Sequence, residues 1–217
     1  MNNNIIKTLL NALCTNAKKD NTVTDIDGNV YHTVKIGTQR WMVENLKTSR
    51  FRDGSAIVEN ISWAQVIQSK KSAWCYYNND PQNNPTYGKL YNWYAVADPR
   101  GLCPVGWHVP TDKEFELLVN YLGGLNVAGG TMKATTLWKA PNIGADNSSG
   151  CAALPAGFRD SVGTFDYLGH FGYFWSSTDD EGSFNAWARL LAYNGSEVGR
   201  NAFCFKENGL SVRCLCD

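Results

Sequence analysis

Of the seven cysteines in this 217-residue chain, Cys204 alone lies inside the candidate binding face read below, which makes it the best nucleophile or copper-ligand candidate. A thiol reacts as its thiolate and needs a base or a second cysteine close by. Cys204 has no neighbouring cysteine or histidine in the sequence, so no catalytic residue is assigned and the chain is not expected to be an enzyme. Asp25-x-Asp27-x-Asn29 has the look of a calcium loop, but the glycine, Gly28, is at the wrong offset and Ile36 stands where the closing glutamate belongs. The same residues read better as a turn. Cys214-x-Cys216 is too short for a zinc knuckle and only three histidines exist to complete one. His108 before a helix and His32 on a strand read as structural residues, and His170 in a loop is uninformative. Asp179-Asp180-Glu181 reads as a solvated turn. No metal or other cofactor is assigned.

What remains is recognition. Residues 188–205 are rich in small, polar and aromatic side chains, with neither a helical nor a strict strand period. They lie between two motif-like ends, Phe174-Trp175-Ser176-Ser177-Thr178 and Gly209-Leu210-Ser211-Val212-Arg213-Cys214. A segment of this composition between anchored ends reads as a binding surface on a scaffold. Tyr193, Phe203 and Phe205 can stack on a sugar or fill a partner's pocket. Arg189 and Arg200 can form bidentate contacts, and Asn194 and Asn201 adapt their hydrogen bonds. The candidate ligand-binding residues are Ala188, Leu190, Ala192, Tyr193, Asn194, Ser196, Glu197, Gly199, Arg200, Asn201, Ala202, Phe203 and Cys204.

The scaffold must be loop-rich and held by large rings: the chain has 8 Trp and 20 Gly, and each aromatic buries on the order of 150–250 Å². Twenty basic and twenty acidic residues cancel, and no local basic run exists, which argues against a nucleic-acid partner. No apolar run approaches the roughly 20 residues that span a membrane. The seven cysteines, at 14, 75, 103, 151, 204, 214 and 216, are scattered and read mostly as buried reduced thiols, with a disulfide or two open for an exported protein.

Ile5, Ile6, Leu9, Leu10 and Leu13 fall on one face of a short helix. The stretch ending at Cys14 loosely resembles a lipoprotein signal, but Lys7 and Asn11 interrupt it and Leu13 occupies the position of a small residue. Residues 1–22 therefore read as a docking or oligomerisation arm with a linker, and 23–217 as the ligand-binding domain. Without a convincing signal, a virion-associated or cytoplasmic location is expected, with a cell-surface lipoprotein as the alternative.

Within the domain, residues 23–30 read as a hairpin turning at Asp27-Gly28, with Val30, His32, Val34 and Ile36 alternating on the far side. A second strand follows over 37–43, and a short helix over 62–67 with Ser62 as N-cap. The clearest helix starts at Thr111, whose spacing to Glu114 makes a capping box. Phe115, Leu118, Val119 and Leu122 form its apolar stripe and Gly123-Gly124 stop it. Residues 125–174 read mostly as loop.

Several stretches in order carry a resemblance: Asp25-Ile-Asp-Gly-Asn-Val-Tyr31, Val34-Lys-Ile-Gly37, Trp41-Met-Val-Glu-Asn-Leu46, Tyr87-Gly-Lys-Leu-Tyr-Asn-Trp-Tyr94, Gly106-Trp-His-Val-Pro-Thr-Asp112, Ala153-Leu-Pro-Ala-Gly-Phe-Arg159, Trp175-Ser-Ser-Thr178 and Ser211-Val-Arg-Cys214. Over about residues 23–217 the chain resembles the Fibrobacter succinogenes major paralogous domain family, common in Bacteroidetes and their phages. The resemblance implies an α+β, C-type-lectin-like fold: loop-rich, with small antiparallel sheets and two short helices, here with an N-terminal helical arm. In such folds terminal strands pair and long loops carry recognition.

Formylglycine-generating enzymes resemble this fold, as do the variable proteins of diversity-generating retroelements. The former use a close cysteine pair that Cys204 lacks. In the latter, surface codons near the C-terminus are rewritten at adenines. Ala188, Leu190, Ala192, Gly199, Ala202 and Cys204 stand where the family carries Tyr or Asn, and all are reachable from Asn-type codons that way. The resemblance thus implies a non-catalytic, hypervariable receptor-binding surface, as on a phage tail, for a bacterial surface glycan or protein. Residues 5–13 would meet a virion or tail-fibre partner or form a homo-oligomer. A fixed-ligand carbohydrate-binding lipoprotein and a formylglycine-type cysteine oxidase are the alternatives.

Overall fold

The computed structural model describes residues 21–59, 69–181 and 183–217. The arm at 5–13 and the helix expected over 62–67 lie outside them. The described residues form an α+β fold of three sheets with short helices.

The first sheet joins the two ends of the domain. Strands β1 (Thr22–Thr24), β2 (Val30–Ile36) and β3 (Gln39–Met42) form an antiparallel meander, β13 (Leu215–Cys216) adds to β3, and β7 (Trp107–His108) closes the edge. The β1–β2 turn is set by Asp25. One of its carboxylate oxygens accepts from the Asp27 and Asn29 amides, and the other from the Asn29 side chain and the Tyr31 hydroxyl. That occupied carboxylate is the turn read from the sequence.

The second sheet has the order β12-β11-β10-β8-β9, from β8 (Ala156–Arg159), β9 (Phe165–Leu168), β10 (Phe171–Asp179), β11 (Asn185–Ala192) and β12 (Val198–Phe205). Its pairs are antiparallel except β8–β10, where Gly157 lies beside Gly172 in parallel register. A third sheet, β4 (Val58–Glu59), β5 (Ala73–Cys75) and β6 (Leu90–Tyr91), also contains one parallel pair. The expectation of purely antiparallel sheets is corrected accordingly: long connections bring β5 and β10 back alongside strands that precede them.

Two further readings change. Residues 125–174, taken as mostly loop, contain β8, β9 and the start of β10. The supposedly aperiodic C-terminal stretch is the β11–β12 hairpin. Its period is hidden because both faces are partly covered: Ala186 and Ala188 lie in one core, Leu191 in another. Four helices are described rather than a single one beyond 62–67: α1 (Asn84–Tyr87), α2 (Trp93–Val96), α3 (Asp112–Tyr121) and α4 (Ala128–Met132). Helix α3 carries the Thr111/Glu114 capping box, and Gly123 and Gly124 follow at φ of 100° and 94°. Phe115, Leu118 and Val119 bury against β10 and β11 residues Phe174 and Leu191.

The cysteines include both states that the sequence left open. Cys103 and Cys214 form a disulfide across a separation of 111 residues, whereas Cys75, Cys151 and Cys204 are buried free thiols. Cys103 precedes β7 and Cys214 precedes β13, and the pairing of those two strands brings the sulfurs together.

Candidate functional site

Side chains along a strand alternate between the two faces of a sheet. In the second sheet one face meets helix α3. The other carries Phe158 from β8, Phe171 and Tyr173 from β10 and Leu190 from β11, with Tyr173 directly opposite Leu190 and Leu190 opposite Gly199. Further along this face Trp175, Ala186, Ala188 and Cys204 disappear into the core beneath Trp93 and Trp107. The Phe171–Tyr173 end stays open. Its rings form a connected cluster: Phe158 to Tyr173 at 5.0 Å, Phe158 to Tyr167 at 6.0 Å and nearly parallel, Tyr167 to Phe171 at 5.0 Å edge-on, and Phe171 to Tyr193 at 6.4 Å. Burial pushes the Tyr173 hydroxyl up to about 12, with the Cys204 thiol and Tyr167 adding to it, so this tyrosine stays protonated at neutral pH.

The β8–β9 hairpin is bent where Gly157 and Tyr167 oppose each other. Both occupy the left-handed region, at φ of 62° and 64°. Gly157 has no alternative, since a Cβ there would sit 2.3 Å from the Asp166 carbonyl oxygen. Tyr167 is a bulky residue in a conformation that disfavours side chains, and its ring is half exposed. The bend turns that ring outward beside Phe171. Between β9 and the β11–β12 turn runs a groove of about 470 Å³, floored by Tyr77 and bordered by Asp166, Tyr167, His170, Phe171, Tyr193 and Asn194.

The turn is held from behind. Lys133, fully buried at the end of α4, donates from Nζ to the carbonyls of Ile143, Ala192 and Gly195 at 2.9, 2.9 and 2.8 Å. Gly129 and Gly130 let α4 approach the Ser196, Glu197 and Gly144 carbonyls so closely that any Cβ would collide. The Tyr193 amide donates to the His170 carbonyl. Backbone bonds and one buried ammonium therefore fix the rim of the groove before any ligand arrives.

The candidate residues read from the sequence do not share one surface. Leu190 and Gly199 lie on the aromatic face; Tyr193 and Asn194 line the groove. Ser196 and Glu197 complete the hairpin turn. Ala188, Ala192 and Cys204 have buried side chains. Arg200 points to the opposite face, where its guanidinium stacks 3.7 Å over Trp187 and pairs with Asp112 at 2.8 Å. Asn201 is half-buried opposite Ala188, and 202–203 lie within β12. Arg189, expected at the surface, is buried and also bound to Asp112. Although burial alone would raise it, the Asp112 carboxyl is held below its usual range by Arg200 and Arg189. Phe158, Tyr167, Phe171 and Tyr173 were missed because three separate segments supply them. The alternation Phe171-x-Tyr173-x-Trp175 was the signal available.

The chemical candidates resolve simply. Cys204 is buried, which pushes its thiol up to about 12, and the free cysteines Cys75, Cys151 and Cys204 belong to three different cores. His108 bonds Asp217 through Nδ1 at 2.6 Å and Glu114 through Nε2 at 3.0 Å. His32 pairs with Glu44, and Asp179 with Lys206. Among the described residues no three or more His, Cys, Asp or Glu side chains converge as a metal group would require.

The ordered sequence motifs occupy structural positions: Val34–Gly37 on β2, Trp41–Met42 on β3, Tyr87–Tyr94 through β6 and α2, and Ser211–Cys214 under β10, where the Trp175 amide donates to the Ser211 carbonyl. A family model described as the Fibrobacter succinogenes major domain matches residues 34–215. The chain belongs to this family. Its domain here spans from β2 to β13, so the aromatic face and groove lie wholly inside the matched region. No curated protein and no solved structure matches the chain.

Proposed function

We propose that this family member is a non-catalytic recognition domain of C-type-lectin-like fold that binds a bacterial surface glycan or protein through the open aromatic face of its second sheet. The observation that carries the reading is the connected cluster of Phe158, Tyr167, Phe171 and Tyr173, half-buried except for the exposed Tyr167 ring, on a sheet beside a braced turn. Aromatic anchors with fixed backbones bind at low ordering cost. The pairing of the β13 terminus with β3 accords with the C-type-lectin-like reading.

Burial bears on whether the surface is hypervariable. Ala188, Ala192 and Cys204 pack inside the molecule, and overpacking such sites costs about 1–3 kcal/mol each. This favours a fixed ligand surface over a diversified one. The Cys103–Cys214 disulfide favours an oxidising setting, hence a cell surface or an extracellular particle over the cytoplasm. The buried Cys204 thiol gives the cysteine-oxidase alternative no support.

Binding of fluorescently labelled protein to bacterial envelopes tests the reading. Tyr173→Ala or Phe171→Ala is expected to weaken retention about tenfold while the fold persists. Retention unchanged by both variants would remove the aromatic face from the proposal.

A further inference from the structure

We infer that the groove between β9 and the β11–β12 turn is a subsite for a neutral pyranose residue, with the Tyr167 ring as its stacking platform; this rests on the recognition reading above. The first observation is the backbone. Tyr167 is held at φ 64°, opposite Gly157 at 62°, although a glycine would take the position without strain. The conformation aims a half-exposed ring along the groove, edge-on to Phe171 and parallel to Phe158. Strain of this kind persists where the geometry it enforces has a use.

The second observation is the polar lining. The Asp166 carboxylate and the Asn194 side chain make no hydrogen bond among the described residues. His170 Nδ1 lies 3.1 Å from the Leu168 carbonyl oxygen, which can only accept, so the proton sits on Nδ1 and Nε2 is an acceptor. Two acceptors, one amide that both donates and accepts, and aromatic walls match a sugar: hydroxyl groups on its edge, apolar C–H groups on its face. The third observation is charge. No Lys or Arg lines the groove and one carboxylate does, which disfavours uronic, sialic and phosphorylated sugars.

The experiment is saturation-transfer NMR on the whole chain with methyl glycosides of glucose, galactose, mannose and N-acetylglucosamine, beside methyl glucuronide and methyl sialoside. Transfer to at least one neutral glycoside is expected, together with about tenfold weaker binding for Tyr167→Gly and a smaller loss for Asp166→Asn. Tyr167→Gly suits its backbone position, so its melting temperature should stay near the parent's, and Asp166→Asn offers a second reading that leaves the bend intact. Equal binding by parent and both variants overturns the inference, as does binding confined to the acidic glycosides. If no glycoside binds while labelled protein still adheres to envelopes through Phe171 and Tyr173, the saccharide assignment falls and the recognition reading stands. Failure of both assays removes both.

Discussion

The two faces of the β12-β11-β10-β8-β9 sheet are built by opposite rules. On the α3 side, Arg189 and Arg200 converge on Asp112, Trp187 lies under Arg200, and Phe115 lies 5.4 Å beneath the Arg189 guanidinium. On the other side the rings of Phe158, Tyr167, Phe171 and Tyr173 meet one another at the open end, with Phe158 and Tyr173 resting against the core and Tyr167 half exposed. Charge on the α3 side is paired, whereas the other side presents mainly rings, with the Asp166 carboxylate at the edge of its groove. A buried ion pair adds little net stability, yet removing one partner strands the other. An uncovered aromatic face costs solubility without adding stability. The α3 side is therefore the structural face, and the aromatic side the one that stability alone does not explain.

Asp112→Ala should break this division most severely. It leaves Arg189, 2% exposed, without its carboxylate, and about 3–5 kcal/mol of unfolding free energy should be lost. Ligand retention measured below the new melting point should be unaltered. If the variant melts like the parent, the α3 face is not held by the pair.

Gly157→Ala tests the aromatic side through its backbone. The added Cβ would meet the Asp166 carbonyl at 2.3 Å in a left-handed conformation, so about 3 kcal/mol of destabilisation is expected in a denaturant titration. Unlike Asp112→Ala, it should also weaken binding, since Tyr167 sits directly across the hairpin. Lys133→Met probes the brace behind the turn. Three carbonyls lose their donor at about 2 kcal/mol in total. Amide exchange at 193–197 should quicken, and binding should weaken without any change to the aromatic rings. Unchanged exchange would show that the two glycines of α4 hold the turn alone.

Local chemistry was legible in the sequence. The spacing of Thr111 to Glu114, the Asp25–Asn29 turn and the alternation through β2 each depend on residues a few positions apart. The family motifs were legible too, and two of them carry Trp175 and Ser211, which are hydrogen-bonded partners in the core. What stayed hidden depends on distant pairing. Cys103 and Cys214 meet only because β7 and β13 pair, and no spacing announces that. The β11–β12 hairpin concealed its period because Ala186, Ala188 and Leu191 bury both faces. For the same reason the contiguous candidate segment does not form one surface: alternation sends Leu190 one way and Arg200 the other, and the ring cluster takes its members from β8, β9 and β10.

The smallest expected effect comes from His108, which ties the β7 edge to the α3 cap. Its hydrogen bond to Asp217 raises its pKa above the usual value, against burial, and Glu114 adds to the rise. A group with a raised folded pKa contributes its full stability below the unfolded value, near 6.5, and loses it as pH climbs through the folded value. With the side chain about a third exposed, solvent screening limits the contribution to about 0.5 kcal/mol. The melting temperature should therefore decline slightly as pH rises above about 6.5, and His108→Gln should flatten that slope. Binding should not follow it, since His108, Glu114 and Asp217 all stand on the structural side of the molecule. A binding profile that tracked the His108 titration would instead couple the two faces through α3.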